Sequence, residues 1–90
     1  EMLGKLQRIV EDRRDHPAEG SYTTYLFEKG VDKIAKKAGE EAVELAIAAK
    51  GGEREEIVGE CADLFYHVMV LLANAGIKLS DVCTELKERH

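Results

Sequence analysis

The sequence predicts an all-α fold built on four main helices. Three observations carry this reading: Pro17 is the only proline, no alternating Val/Ile/Thr-rich run marks a strand, and apolar residues recur with a helical period over long stretches. Ninety residues make one domain, 1–90, and a chain this short buries only a modest fraction of its surface alone, which points to self-association.

The first helix covers about residues 2–15, with Leu3, Leu6, Ile9 and Val10 as its apolar stripe. It stops at Asp15-His16-Pro17, because the residue before a proline is pushed out of the helical region. A polar and aromatic connector follows, with a short turn of helix around Thr24 to Glu28. The second long helix runs from Val31 to Lys50 and ends at Gly51-Gly52, since glycine takes the left-handed C-cap conformation without strain. The third opens on Glu53-Arg54-Glu55-Glu56, acids that suit the positive end of a helix, and continues to about Ala75, before Gly76. Ser80 is the expected N-cap of a short last helix through Glu88.

Charge and composition exclude several functions. Thirteen Lys and Arg against 18 Asp and Glu give a net charge of -5, which disfavours nucleic-acid binding and attraction to an anionic membrane. Cys61 and Cys83 sit in apolar helical pattern rather than in a metal-binding or disulfide spacing, so they read as reduced core residues. No apolar run approaches the ~18 residues of a spanning helix and no leader is evident, so a cytoplasmic protein is expected.

The acids are arranged in pairs. On the second helix Ile34, Ala38, Ala42 and Leu45 share one arc, and Glu41 lies at the edge of that stripe with Glu44 one turn on, about 5–6 Å away at Cβ. The third helix repeats the device with Glu60 and Asp63. Its apolar positions, including Ile57, Val58, Cys61, Leu64, Phe65, Val68 and Leu72, wrap over half the circumference, so it is expected to be the most buried helix. The remaining arc carries Glu56, Glu60, Asp63, His67 and Asn74, and no Lys or Arg occurs between Arg54 and Lys78. A solvated helix face normally mixes both signs, so this acidic arc calls for something positive against it.

One Glu-x-x-Glu is commonplace. Two such pairs joined by a Gly-Gly turn are not, because a helical hairpin places Glu41 and Glu44 opposite Glu60 and Asp63. Four facing carboxylates repel, and hard oxygen donors without a His/Cys set favour Mg²⁺ or Mn²⁺ over zinc. The absence of Glu-x-x-His argues against a di-iron bundle. His67, one turn beyond Asp63, reads as a hydrogen-bonded rim residue. Lys33, Lys36 and Lys37 precede the acids and are the candidates for phosphate contact, with ordinary pairing such as Lys36 to Glu40 as the simpler alternative.

Glu40-Glu41-x-x-Glu44 followed by Glu60-x-x-Asp63 resembles the signature of the MazG-like all-α NTP pyrophosphohydrolases. The stretches GSYTTYLFEKGVDKIAKKAGEEAVELAIAAK and EIVGECADLFYHVMVLLANAGIKLSDVCTEL are similar, more specifically, to the phosphoribosyl-ATP pyrophosphohydrolase family. The resemblance implies Mg²⁺-dependent hydrolysis of 1-(5-phosphoribosyl)-ATP to the monophosphate and pyrophosphate, the second step of histidine biosynthesis. It further implies Glu41, Glu44, Glu60 and Asp63 as metal ligands and Glu40 as an acid that orients water. Lys33, Lys36, Lys37 and the segment Ser21, Tyr22 and Thr23 would hold phosphates or the ribosyl arm, and a homodimer would complete the bundle. Two alternatives stand beside it: a house-cleaning (d)NTP pyrophosphohydrolase of the same superfamily, and a non-catalytic helical adaptor dimer.

Overall fold

The computed structural model describes residues 1–90 as five α-helices joined by short turns. They are α1 (Met2–Asp15), α2 (Tyr22–Lys29), α3 (Val31–Gly51), α4 (Arg54–Asn74) and α5 (Leu79–Arg89). The connector expected to hold one turn is thus a full helix. Ser21 starts it by accepting the Thr24 N–H on its hydroxyl at 3.2 Å, and Gly30, at φ +88°, separates it from α3. Gly52, left-handed at φ +80°, ends α3 and turns the chain straight back into α4. At α5 the expected cap moves: Lys78 occupies the N-cap, and the Asp81 carboxylate accepts its N–H at 3.0 Å, while Ser80 lies inside the helix.

α3 and α4 form the dominant hairpin, and α1 and α2 cover only one end of it. The core there is Val10, Leu26, Ile34, Met69, Val70 and Ala73, one residue each from α1, α2 and the start of α3, with three from the end of α4. Arg14 fixes the same end by donating from its guanidinium to the Ala73 carbonyl at 2.8 Å. α5 is tied to α1 by polar contacts: the Leu79 N–H donates to the Gln7 side-chain oxygen at 2.6 Å, and Lys78 pairs with Glu11 at 2.8 Å.

The other half of the hairpin has no cover. Val43 and Ile47 of α3 are 59% and 65% exposed, and Val58 and Phe65 of α4 are 53% and 47% exposed. α4 carries the most buried residues of any helix, as expected, but all four of them, His67, Met69, Val70 and Ala73, lie beyond Asp63, at the end that α1 and α2 reach. Cys83 is likewise exposed rather than core, and Cys61 is half-buried.

The placing of the core predicts a contrast within α3. Ile34→Ala should lower the unfolding free energy by about 3 kcal/mol and Val31→Ala, three residues earlier and 55% exposed, by less than about 1 kcal/mol. Urea titrations followed by circular dichroism measure both, and equal losses would refute the assignment.

Candidate active site

Where α3 and α4 face each other beyond the core, their acids converge. Carboxylate oxygens of Glu41, Glu60 and Asp63 lie within 4.8 Å of one another. Glu41 is buried at 8% exposure, and Glu60 is half-buried. One oxygen of each, Glu41 Oε2 and Glu60 Oε2, is enclosed with no hydrogen-bond partner. Buried polar atoms are normally paired, so these are the residues that could hold a cation.

The electrostatics agree with the geometry. Burial pushes the Glu41 carboxyl above its ordinary value, and the charges of the adjacent Glu44 and of Asp63 raise it further. Glu60 is raised in the same way, first by desolvation and then by Glu44, Glu41 and Asp63. Glu44 is exposed and lies outside the tight triple, yet it abuts both Glu41 and Glu60. With Ile47, Ala48, Glu56, Glu60 and Asp63 it lines an open cleft of about 390 Å³. A donor set made wholly of hard oxygens fits Mg²⁺ or Mn²⁺, and the orphaned atoms show that this one is short of positive charge.

The remaining candidates divide. Glu40 is exposed and pairs with Lys37 at 3.4 Å, so the partner of Glu40 is Lys37 and not Lys36, both spacings being neighbours on a helix surface. Lys37 is the lysine nearest the acids: its pKa is raised first by Glu40, then by Tyr22, with a further contribution from Glu41. Lys33 instead lies 5.9 Å from the Tyr25 ring centroid, and Lys36 is exposed without an ion pair. The hydroxyls of the Ser21–Thr23 segment are all engaged within the chain: Ser21 caps α2, Tyr22 meets His67 Nε2 at 3.0 Å, and Thr23 meets the Tyr66 hydroxyl. His67 is buried rather than at a rim. Its place one turn after Asp63, among apolar neighbours, was the signal available in the sequence.

A helical hairpin that turns carboxylates from both arms onto one point defines an all-α domain with an acidic centre between its two long helices. The chain belongs to the phosphoribosyl-ATP pyrophosphohydrolase family, whose model matches residues 3–90. It is 51% identical over 90 residues to the phosphoribosyl-ATP pyrophosphatase of Clostridium acetobutylicum, covering 100% of this chain and 82% of that protein. The phosphoribosyl-ATP pyrophosphatase of Clostridium botulinum is 54% identical over 89 residues, or 99% of this chain and 81% of the relative. It is also 53% identical over 90 residues, its full length, to the histidine biosynthesis bifunctional protein HisIE of Caldanaerobacter subterraneus, of which it spans 44%. No helix is long and apolar enough to cross a membrane.

The raised carboxyls make a pH prediction. A carboxyl whose folded pKa lies above its unfolded value favours the fold when protonated. That contribution is complete below the ordinary value of 4.5 and is lost as pH rises through the raised value. Glu41→Gln removes the loss, so without divalent cations the variant should melt higher than wild type near pH 7, with the gap closing toward about pH 4. Melting curves across this range measure it, and a gap independent of pH would show that Glu41 is not strained by its neighbours.

Proposed function

We propose that this chain hydrolyses 1-(5-phosphoribosyl)-ATP to 1-(5-phosphoribosyl)-AMP and pyrophosphate, the second step of histidine biosynthesis, with Mg²⁺ as its metal and Mn²⁺ as a substitute. The observation that carries this reading is the convergence of Glu41, Glu60 and Asp63, with two orphaned oxygens, in a chain of this family. These three residues would hold the ion, and Glu44, against two of them, would complete the set. A divalent cation bound there would supply charge neutralisation to the phosphate oxygens and the departing pyrophosphate. Glu40 orients the attacking water, whose oxygen bonds to phosphorus as the bridging P–O bond breaks and whose proton passes to a carboxylate. Lys37, between Glu40 and Tyr22, contacts a phosphate, while Lys33 and Lys36 raise the local positive charge on the approach from α2. Ser21, Tyr22 and Thr23 present the first turn of α2 to the substrate as a positioned segment, since their hydroxyls are spent internally.

The working form is a homodimer. Only 10 of 90 residues are buried in the single chain, and its radius of gyration, 13.9 Å, exceeds the ~12 Å of a compact domain this long. Val43, Ile47, Val58 and Phe65 supply the apolar stripes that a second copy would cover. The chemistry requires neither nucleic acid nor membrane.

Pyrophosphate release should be fastest from phosphoribosyl-ATP in a panel with NTPs and dNTPs and should stop with EDTA. Preference for a free nucleotide would move the chain to house-cleaning, and no release at all would leave an adaptor. Asp63→Asn should lower kcat/KM at least about a hundredfold while keeping the helical content; wild-type turnover in that variant would end the metal-site assignment. Ile47→Glu should convert a dimer to a monomer in sedimentation-equilibrium runs, and an unchanged mass would exclude this face as the interface.

A further inference from the structure

His67 is the one buried titratable side chain near the acids to which the proposed chemistry gives no part. Its ring is 5% exposed and both nitrogens are engaged: Nδ1 lies 2.7 Å from the Asp63 carbonyl oxygen and Nε2 lies 3.0 Å from the Tyr22 hydroxyl. A carbonyl oxygen only accepts, so Nδ1 carries the proton. In the neutral ring Nε2 then offers a lone pair, and the Tyr22 hydroxyl must donate to it. The Tyr22 and Tyr66 rings meet the imidazole edge-on, with centroids at 5.8 and 5.0 Å, which holds its plane. Thr23 adds a parallel tie to the Tyr66 hydroxyl. The first turn of α2 is therefore fastened to α4 at two adjacent residues, one turn beyond Asp63.

We propose that His67 is a positioning residue: held by the Asp63 carbonyl in a single tautomer, it accepts from the Tyr22 hydroxyl and so sets the first turn of α2 against the acidic centre for phosphoribosyl-nucleotide binding. The proposal rests on the reading of the site given above. It also redefines the part of Tyr22. A hydroxyl that donates to His67 cannot donate to a phosphate, so Tyr22 acts through the placing of α2, its ring stacked with Tyr25 at 6.1 Å and with Tyr66 at 6.2 Å.

Steady-state kinetics on phosphoribosyl-ATP with Mg²⁺ test this. Tyr22→Phe, which keeps the ring and removes only the hydroxyl, should raise KM about fivefold and leave kcat within about twofold. His67→Leu should do the same, and His67→Gln, whose amide oxygen can accept where Nε2 did, should restore KM. The double variant Tyr22→Phe/His67→Leu should be no worse than the worse single change, because both break one bond. A wild-type KM in Tyr22→Phe, multiplicative effects in the double variant, or a loss confined to kcat would each overturn the proposal. If His67→Leu melts below the assay temperature, Tyr22→Phe and His67→Gln decide. The rise in melting temperature on adding Mg²⁺ serves as the separate control. It should be present in wild type and in every variant, since no proposed ligand is changed; its absence from wild type would bring down the reading of the site, and this proposal with it.

Discussion

Like-charge repulsion in a poorly solvated place is the constraint on which the rest of this structure depends. Glu41 and Glu60 are held where burial raises their carboxyl pKa values and the charges of Glu44 and Asp63 raise them further, with Glu41 acting on Glu60 as well. Left to themselves, two helices carrying such acids on facing sides would part. They are kept together from elsewhere: Ile34 lies two turns before Glu41 on α3, Val70 two turns after Asp63 on α4, and both are completely buried with Val10 and Leu26. The core at one end of the hairpin offsets the repulsion in the middle, which is why α1 and α2 pack where they do rather than along its whole length.

That division gives the hairpin three zones. The end clamped by α1 and α2 is apolar and closed, the middle is acidic and partly enclosed, and the end nearest Gly52 is apolar and open. An isolated chain of this length seldom leaves such stripes bare, because apolar burial is the main favourable contribution to folding and a small domain has little of it to forgo. The distribution of Val43, Ile47, Val58 and Phe65 follows a pattern of i, i+4 on α3 and i, i+7 on α4. Each spacing keeps its two residues on one side of its helix, so each helix carries a continuous apolar stripe.

Much of this was legible in the sequence because its causes are local. Glycines that must take positive φ mark the ends of α3, and Glu41 falls at the edge of an apolar stripe by arithmetic alone. What periodicity could not reveal was which apolar face has a neighbour. Val58 and Phe65 look the same as Val70 in the sequence, and only the reach of α1 and α2 separates them. The role of Ser21 was missed because a single hydroxyl before an aromatic run is a weak signal until its Thr24 N–H partner is seen. His67 was undervalued for a related reason: its two partners, a backbone carbonyl and a phenol 45 residues away in sequence, leave no local trace. The choice of Lys37 over Lys36 as the partner of Glu40 turns on side-chain direction, which three- and four-residue spacings leave equally open.

The acidic and apolar zones are coupled rather than merely adjacent. Ile47 lines the same cleft as Glu44, Glu60 and Asp63, so its exposed face is also a wall of the acidic centre. Whatever covers Ile47 removes water from that wall. Removing water lowers the local dielectric, which strengthens both the repulsion among the carboxylates and their attraction for a divalent cation. A centre of this kind is weakest as a cation site when its apolar border is bare and strongest when that border is closed. Linkage is reciprocal, so a cation that relieves the repulsion must favour the closed border by the same free energy. The open apolar stripe and the acidic centre thus meet at one wall, that of Ile47.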